Sequence, residues 1–259
     1  MKRRHLLACL PACCAWAGAL ASEADTGIVL LHGKQSSPGN VGDIARTLRN
    51  AGCKVATPEM PWSQRREYDV PYAAALEEVA SAAKELQGGG ATRLVVGGHS
   101  LGANAALAYA ASGRPVAGVF ALSPGHVPEG IPFGRAVAPG VQKAREMIER
   151  GAGEEKAWFP DSNQGRTRQV RMTANAYLSY FDPHGPASLM HSCRRIPADV
   201  PLFMSVGEAE GILPYARDHL FPAAPRNAHS VFLAVPGDHF SAPRAASGKL
   251  LEWLHAVTA

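Results

Sequence analysis

The stretch LVVGGHSLGANAALAYAA, residues 94–111, places a serine between two glycines where a strand pattern changes into a helix pattern. Its first half is a continuous apolar run, which is typical of a strand buried inside a parallel sheet. Its second half is rich in alanine, which favours a helix that packs close to that sheet. Ser100 lies at the junction. The question is whether its hydroxyl does chemistry or only fits a tight turn.

Steric and electrostatic reasons favour chemistry at this junction. A strand that turns directly into a helix strains the backbone at the turn and lifts that side chain into the open. Side chains two positions before and after the turn would collide, so Gly98 and Gly102 fit those positions. The helix start presents unpaired N–H groups and a partial positive charge. The N–H of Leu101 can therefore stabilise an oxyanion formed at Ser100.

The rest of the chain alternates apolar runs with helical patterns, which predicts an α/β fold with a parallel sheet and right-handed crossovers. The predicted strands are 26–33, 53–60, 93–98, 116–125, 201–207 and 230–237. The predicted helices are 40–52, 72–90, 100–113 and 242–257. Residues 126–199 exceed an ordinary connection and contain two helix-like segments, 139–158 and 168–181. We therefore expect a helical cap insertion after the fourth strand.

The first 21 residues have the composition of a secretory signal peptide. A basic leader precedes an apolar stretch that is short for a bilayer span, and a small-x-small motif ends at Ala21. We expect cleavage after Ala21, a mature domain of residues 22–259 exported to the periplasm or the medium, and no stable membrane span. The alternatives are a single membrane anchor and a lipoprotein signal that ends at Cys13.

Charge and cysteine content exclude several classes of function. Removal of the basic leader lowers the formal net charge from +4 to +1, so the basicity gives no indication of nucleic-acid binding. Two of the five cysteines remain, Cys53 and Cys193, near predicted strands on different sides of the sheet. We expect buried thiols, because a disulfide needs Cα atoms within about 7 Å. No Cys/His spacing indicates a metal site.

A base and an acid are needed as well, because a serine hydroxyl is a poor nucleophile until a base takes its proton. His239 follows the sixth predicted strand, at the same carboxyl edge of the sheet as Ser100. A carboxylate has to orient that base. Glu210 lies in the loop after the fifth strand, where it can reach His239, and Glu208 and Asp182 are the alternatives.

The other histidines have weaker claims to a catalytic role. His99 neighbours Ser100, but we expect its side chain to point away from the exposed tip of the turn. His126, His184 and His191 lie in the insertion, where they can contact a substrate. A surface position or a hydrogen-bonded core position is the commoner situation for such histidines.

The order serine, acid, histidine is that of the α/β-hydrolase arrangement, and the chain resembles the α/β-hydrolase superfamily from about residue 26 to its end. The segments that carry the resemblance are LLHGK, GGHSLG, VGEAEG and GDHF. A glutamate at position 210 in place of the commoner aspartate is a departure known within the superfamily. The two leading antiparallel strands of larger members are missing from the predicted sheet, so the resemblance implies a compact version.

The resemblance also assigns a role to the segment LLHGK. It implies that Lys34, the residue after the HG pair, lends its backbone N–H to the oxyanion together with Leu101. The side chains of Lys34 and Gln35 can also line the acyl side of the cleft. We expect His32 to hold this loop through a structural hydrogen bond. The implied mechanism proceeds through an acyl-enzyme and needs neither metal nor organic cofactor.

The resemblance implies a carboxylesterase-like serine hydrolase that cleaves an ester or thioester of a small to medium molecule with a Ser-His-Glu triad. Lactone, small-amide and C–C bond hydrolysis and cofactor-free haloperoxidation use the same parts. A non-catalytic secreted binding protein is the further alternative, marked by a disrupted triad or a blocked oxyanion loop, neither of which we see in the sequence. The aromatic residues that can line a pocket, or equally pack in the core, are Trp62, Phe133, Trp158, Tyr177, Tyr180 and Phe181.

Overall fold

The computed structural model describes residues 25–258, so the predicted signal peptide, residues 1–21, lies outside the described residues and stays a prediction. The described residues include the strands β1 (Thr26–Leu31), β2 (Lys54–Ala56), β3 (Arg93–Ser100), β4 (Gly118–Pro124), β5 (Lys156–Asn163), β6 (Arg166–Thr173), β7 (Leu202–Gly207) and β8 (Val231–Val235). The α-helices are α1 (Gly42–Asn50), α2 (Tyr72–Gly88), α3 (Leu101–Ala111), α4 (Ile131–Glu149), α5 (Ala174–Phe181), α6 (Leu189–Arg195), α7 (Leu213–Tyr215), α8 (Phe221–Ala223) and α9 (Ala242–Thr258). A 3₁₀ turn (Pro38–Val41) precedes α1, and a π turn (Ala216–Leu220) joins α7 to α8.

Six of these strands form one parallel sheet in the order β2-β1-β3-β4-β7-β8, as the alternation of strand and helix patterns predicts. Helices cover both faces of the sheet. Within residues 25–258, the sheet has the arrangement that the resemblance implies, without two leading antiparallel strands. Because the strands are parallel, all their carboxyl ends meet at one edge, where ligands bind in such sheets.

The two faces of the sheet bury separate apolar clusters, because successive side chains of a strand point to opposite faces. In β1, Leu31 belongs to the cluster that includes α2 and α3, whereas Leu30 belongs to the cluster that includes α1 and α9. The two cysteines follow this division, with Cys193 buried in the first cluster and Cys53 in the second. They therefore lie on different sides of the sheet, as predicted.

The insertion differs from the expected helical cap, because it contains a β-hairpin. Strands β5 and β6 pair antiparallel, so the expectation of helix is wrong at the end of 139–158 and at the start of 168–181. Val170 and Met172 alternate with exposed neighbours in β6, which is a strand pattern. At the hairpin tip, Gln164 and Gly165 have φ angles of 49° and 74°. Two consecutive positive φ angles are typical of the tight turn that joins two hairpin strands.

Among residues 25–258, no helix combines the length and the apolar composition that crossing a bilayer requires.

Candidate active site

Ser100 is the last residue of β3 and caps the start of α3, in a strained backbone conformation with φ 58° and ψ −121°. The close approach of β1 explains the flanking glycines. A Cβ on Gly102 would lie 2.2 Å from the carbonyl oxygen of Leu31, and one on Gly98 would lie 2.4 Å from the carbonyl carbon of Gly102. Neither position has room for a side chain. The elbow therefore holds the serine at the carboxyl edge of the sheet, where helix N–H groups are unpaired.

Gly125, just after β4, gives the serine hydroxyl its space. A Cβ at this position would lie 2.8 Å from Ser100 Oγ and 3.6 Å from His239 Cε1, so both groups border the same small volume. Within the described part of the chain, the hydrogen bonds of His239 go to other partners, and none joins it to the Ser100 hydroxyl. Gly125 was not identified from the sequence, although the turn-like segment SPG after a buried strand is a signal for a close approach.

Glu210 is the acidic residue that contacts the histidine. Its Oε2 lies 2.7 Å from His239 Nδ1, and the two side chains are 6% and 8% exposed. Its Oε1 accepts hydrogen bonds from Ser123 Oγ at 2.6 Å and from the Gly207 N–H at 2.7 Å. An imidazole that donates from Nδ1 to a carboxylate keeps Nε2 as the acceptor. Glu210 therefore selects the tautomer that a general base needs.

The ionisation of Glu210 is set by two opposing effects. Burial acts to raise the pKa of Glu210, but the hydrogen bonds from His239, Ser123 and Gly207 outweigh it and hold that pKa below its ordinary value. The carboxylate is therefore charged at neutral pH, as a group that stabilises an imidazolium should be.

The two alternative acids lie elsewhere. Glu208 is exposed, and its backbone N–H donates to the carbonyl of Val235. Asp182 accepts a hydrogen bond from Arg145 at 2.8 Å inside the insertion. Of the three carboxylates considered from the sequence, the structure thus brings Glu210 to His239.

The loop after β1 is held by a chain of hydrogen bonds around His32. His32 Nε2 accepts from the Met60 N–H at 3.0 Å, and the Trp62 indole donates to the His32 carbonyl at 2.8 Å. Burial lowers the pKa of His32, so the ring is neutral and structural. Within residues 25–258, the Lys34 N–H donates no hydrogen bond, and its side chain forms an ion pair with Asp161 of the insertion.

The His99 side chain contacts both the ring and the backbone of His239. Its Nε2 lies 2.8 Å from the His239 carbonyl oxygen, and the two ring centroids are 4.7 Å apart. Burial and the neighbouring His239 lower the pKa of His99 to about 4. A neutral His99 ring therefore supports the backbone of the loop that carries His239.

Three adjoining cavities surround the site. The first, of about 370 Å³, borders both Ser100 and His239. The second, of about 350 Å³, borders Ser100 and Lys34 under the hairpin, and the third, also about 350 Å³, borders His239 and Glu210. Gln164 at the hairpin tip borders all three cavities. The insertion therefore covers the carboxyl edge of the sheet at the serine.

The aromatic residues considered from the sequence divide between core and cleft. Phe133 borders two of the three cavities. Trp158 is 59% exposed. Fully buried in the core are Trp62, Tyr177, Tyr180 and Phe181. His126, by contrast, does reach the cleft, since it borders the second and third cavities while its Nε2 bonds to the Tyr180 carbonyl.

Comparison with known proteins agrees with this architecture. Residues 28–256 match the alpha/beta hydrolase family, and the chain belongs to that family. A search of curated proteins finds no match.

Among residues 25–258, no cluster of three or more His, Cys, Asp and Glu side chains is arranged to hold a metal ion.

Solved structures of similar fold include lipolytic enzymes. The Paleococcus ferrophilus monoacylglycerol lipase has a TM-score of 0.64 at 19% identity, with 89% of this chain and 94% of that chain covered. A thermostable carboxyl esterase from Bacillus coagulans has a TM-score of 0.65 at 14% identity, with 90% and 91% covered. A structure of the metagenome-derived lipolytic enzymes LipS and LipT has a TM-score of 0.61 at 15% identity, with 90% and 93% covered. At these identities the likeness concerns the fold.

Proposed function

We propose that this protein is an exported serine hydrolase that cleaves a carboxylic ester, or a thioester, through an acyl-enzyme on Ser100. One observation carries the proposal: a serine on a strained strand-to-helix elbow shares a small volume with a buried histidine whose Nδ1 is bound to a carboxylate. Lipases and esterases of the same fold support the choice of ester chemistry by analogy.

In the proposed mechanism, His239 takes the proton of Ser100 as the hydroxyl attacks the carbonyl carbon of the substrate. The N–H groups of Leu101 and Lys34 stabilise the oxyanion. The imidazolium, stabilised by Glu210, then protonates the leaving group, and water releases the acyl group by the reverse sequence. The serine–histidine hydrogen bond closes when the substrate binds, as often occurs in enzymes whose free form has looser contacts.

The positions of the cavities suggest where the two halves of a substrate lie. The leaving alcohol has to pass His239, which gives it a proton, so it occupies the cavity that borders both Ser100 and His239. Both polar and apolar side chains line that cavity, among them Gln35, Asn40 and Phe240. The acyl group then occupies the cavity under the hairpin, which borders Ser100 and Lys34. That cavity has a volume of about 350 Å³ and also borders Phe133.

The test is hydrolysis of short-chain p-nitrophenyl esters by wild type and by Ser100→Ala. We expect the substitution to lower kcat by about 10⁴-fold or more, because the nucleophile of the acyl-enzyme is lost. A fluorophosphonate probe is expected to label the wild type and not the variant. Equal labelling of both proteins would overturn the assignment of the nucleophile, and an ester-inactive wild type that is still labelled would point to another substrate class.

A further inference from the structure

Asp161 is a fully buried carboxylate in β5 of the insertion, and it contacts the loop that follows β1. Its Oδ1 accepts a hydrogen bond from Lys34 Nζ at 2.6 Å, and its Oδ2 accepts one from Gln35 Nε2 at 2.9 Å. The Tyr68 hydroxyl donates a further hydrogen bond to Oδ2, at 3.1 Å. One carboxylate of the insertion therefore holds two consecutive side chains of the loop whose Lys34 N–H is proposed to bind the oxyanion.

The Lys34 ammonium is almost completely buried and has its partners in the insertion. Its side chain is 3% exposed, and Nζ also donates to the Ser162 carbonyl at 2.8 Å. Burial lowers the pKa of Lys34, an effect that the charge of Asp161 opposes. A buried ion pair is often no more stabilising than apolar residues of similar volume. Stability alone therefore does not account for this pair, whereas a fixed geometry of the loop does.

The loop also has a backbone conformation that needs support. Gln35 has a φ angle of 53°, which is uncommon for a residue with a side chain. Its N–H donates to the Trp62 carbonyl at 2.8 Å, so the segment between β2 and α2 holds this peptide as well. Such conformations persist where the surroundings enforce them. The contacts of Asp161 with both Lys34 and Gln35 are of this kind.

We propose that Asp161 is a positioning residue for the oxyanion hole: it holds Lys34 and Gln35 so that the Lys34 N–H points at the carbonyl oxygen of the substrate. This inference rests on the proposed serine-hydrolase function. It gives the hairpin a part in the chemistry beyond covering the cleft, because β5 carries Asp161 three residues before Gln164 at the tip.

The test compares Asp161→Asn and Lys34→Met with the wild type, each assayed well below its own melting temperature. Lys34→Met keeps the backbone N–H but leaves the buried Asp161 carboxylate without its cation. The double variant Asp161→Asn/Lys34→Met leaves neither charge buried and unpaired, so it carries the test if the single variants fail to fold. Loss of an entire oxyanion donor lowers kcat by about 10²–10³-fold, so we expect a loss of about 10- to 100-fold with KM almost unchanged. A trifluoromethyl ketone, which forms an oxyanion on the serine, is expected to bind more weakly by the same factor.

Glu67→Gln is the matched control, because Glu67 pairs with Arg168 of the same hairpin at 3.8 Å across an exposed surface. It is expected to leave kcat and inhibitor affinity unchanged. If a folded Asp161→Asn, Lys34→Met or double-variant protein keeps both quantities within about threefold of wild type, the positioning role is wrong. If the wild type hydrolyses no ester, or Ser100→Ala keeps its activity, the proposed function has failed instead. The two failures are therefore distinguishable.

Discussion

Glu208 and Glu210 lie two residues apart in one loop, yet they have different surroundings. The first is exposed to solvent, whereas the second is buried and accepts hydrogen bonds from His239, Ser123 and Gly207. Hydrogen bonds to an ionised, buried carboxylate are shorter and stronger than those between neutral groups. At the scale of single residues, the difference between an orienting acid and a solvated loop acid is therefore a matter of contacts.

This contrast predicts different activities for the variants Glu210→Gln and Glu208→Gln. Glu210→Gln keeps the shape of the side chain but loses the charge that stabilises the imidazolium, so we expect kcat to fall on the order of 10³-fold or more. Glu208→Gln is the matched control and should stay near wild type. Steady-state kinetics with one ester substrate measures both. A larger loss in Glu208→Gln than in Glu210→Gln would overturn the assignment of the acid.

The β3–α3 elbow shows how elements constrain the residues between them. Helix α3 is buried from Leu101 to Ala110. Its small residues allow it to lie close to β3 and β4. The strand β1 passes so close to its first turn that Gly102 has no space for a side chain. Close packing of this kind makes small changes of volume costly.

A pair of glycine substitutions tests this packing. In Gly102→Ala the new Cβ would lie 2.2 Å from the Leu31 carbonyl oxygen, whereas at Gly248 in α9 no atom lies within 4 Å of it. We expect Gly102→Ala to lower the free energy of unfolding by about 1–3 kcal/mol or more. Gly248→Ala should raise it by about 0.5–1 kcal/mol, because alanine favours a helix interior. Urea denaturation measures both, and equal effects would contradict the packing argument.

At the scale of the whole molecule, the parallel sheet gathers the site from distant parts of the chain. Lys34 follows β1, Ser100 ends β3, Glu210 follows β7 and His239 follows β8. The carboxyl ends of these strands lie at one edge, so these loops are neighbours there. The insertion after β4 then closes over that edge and contributes Asp161 to it.

The histidines that the fold keeps neutral make its stability depend on pH. His99 has a pKa of about 4 in the folded protein against an ordinary value of 6.5, chiefly because it is buried. Between these values the unfolded chain binds more protons, so this contribution to stability is complete above pH 6.5 and is lost as the pH falls toward 4. Burial also lowers the pKa values of His32 and His126, in the same direction.

We therefore expect the wild type to lose stability between pH 7 and pH 5, with about 2 kcal/mol of the loss due to His99. His99→Gln removes this titration and keeps a polar group that can donate to the His239 carbonyl. Between pH 7 and pH 5, the free energy of unfolding of His99→Gln should therefore fall by about 2 kcal/mol less than that of the wild type. Urea midpoints at the two pH values measure the difference. If the stability of both proteins changes equally with pH, His99 is not the source of the loss.

Much of the fold could be predicted because its signals are local. The apolar runs of the strands, the spacing of the helices and the glycines around Ser100 all act within a few residues, through side-chain periodicity and hard-sphere contact. These signals also placed His239 and Glu210 in loops at the same edge of the sheet. The hairpin was missed because residues 168–173 lie beside a true helix, α5, and the turn at Gln164 and Gly165 is a weaker signal.

The sequence by itself determined the alternating α/β architecture and the candidate nucleophile, since both depend on neighbours along the chain. Only the tertiary structure decided that Glu210 contacts His239, that Gly125 makes room for the serine hydroxyl, and that Asp161 binds the Lys34 side chain. These contacts join residues between 25 and 127 positions apart. Their energy depends on distances of a few ångströms across the fold, which no local pattern of residues encodes.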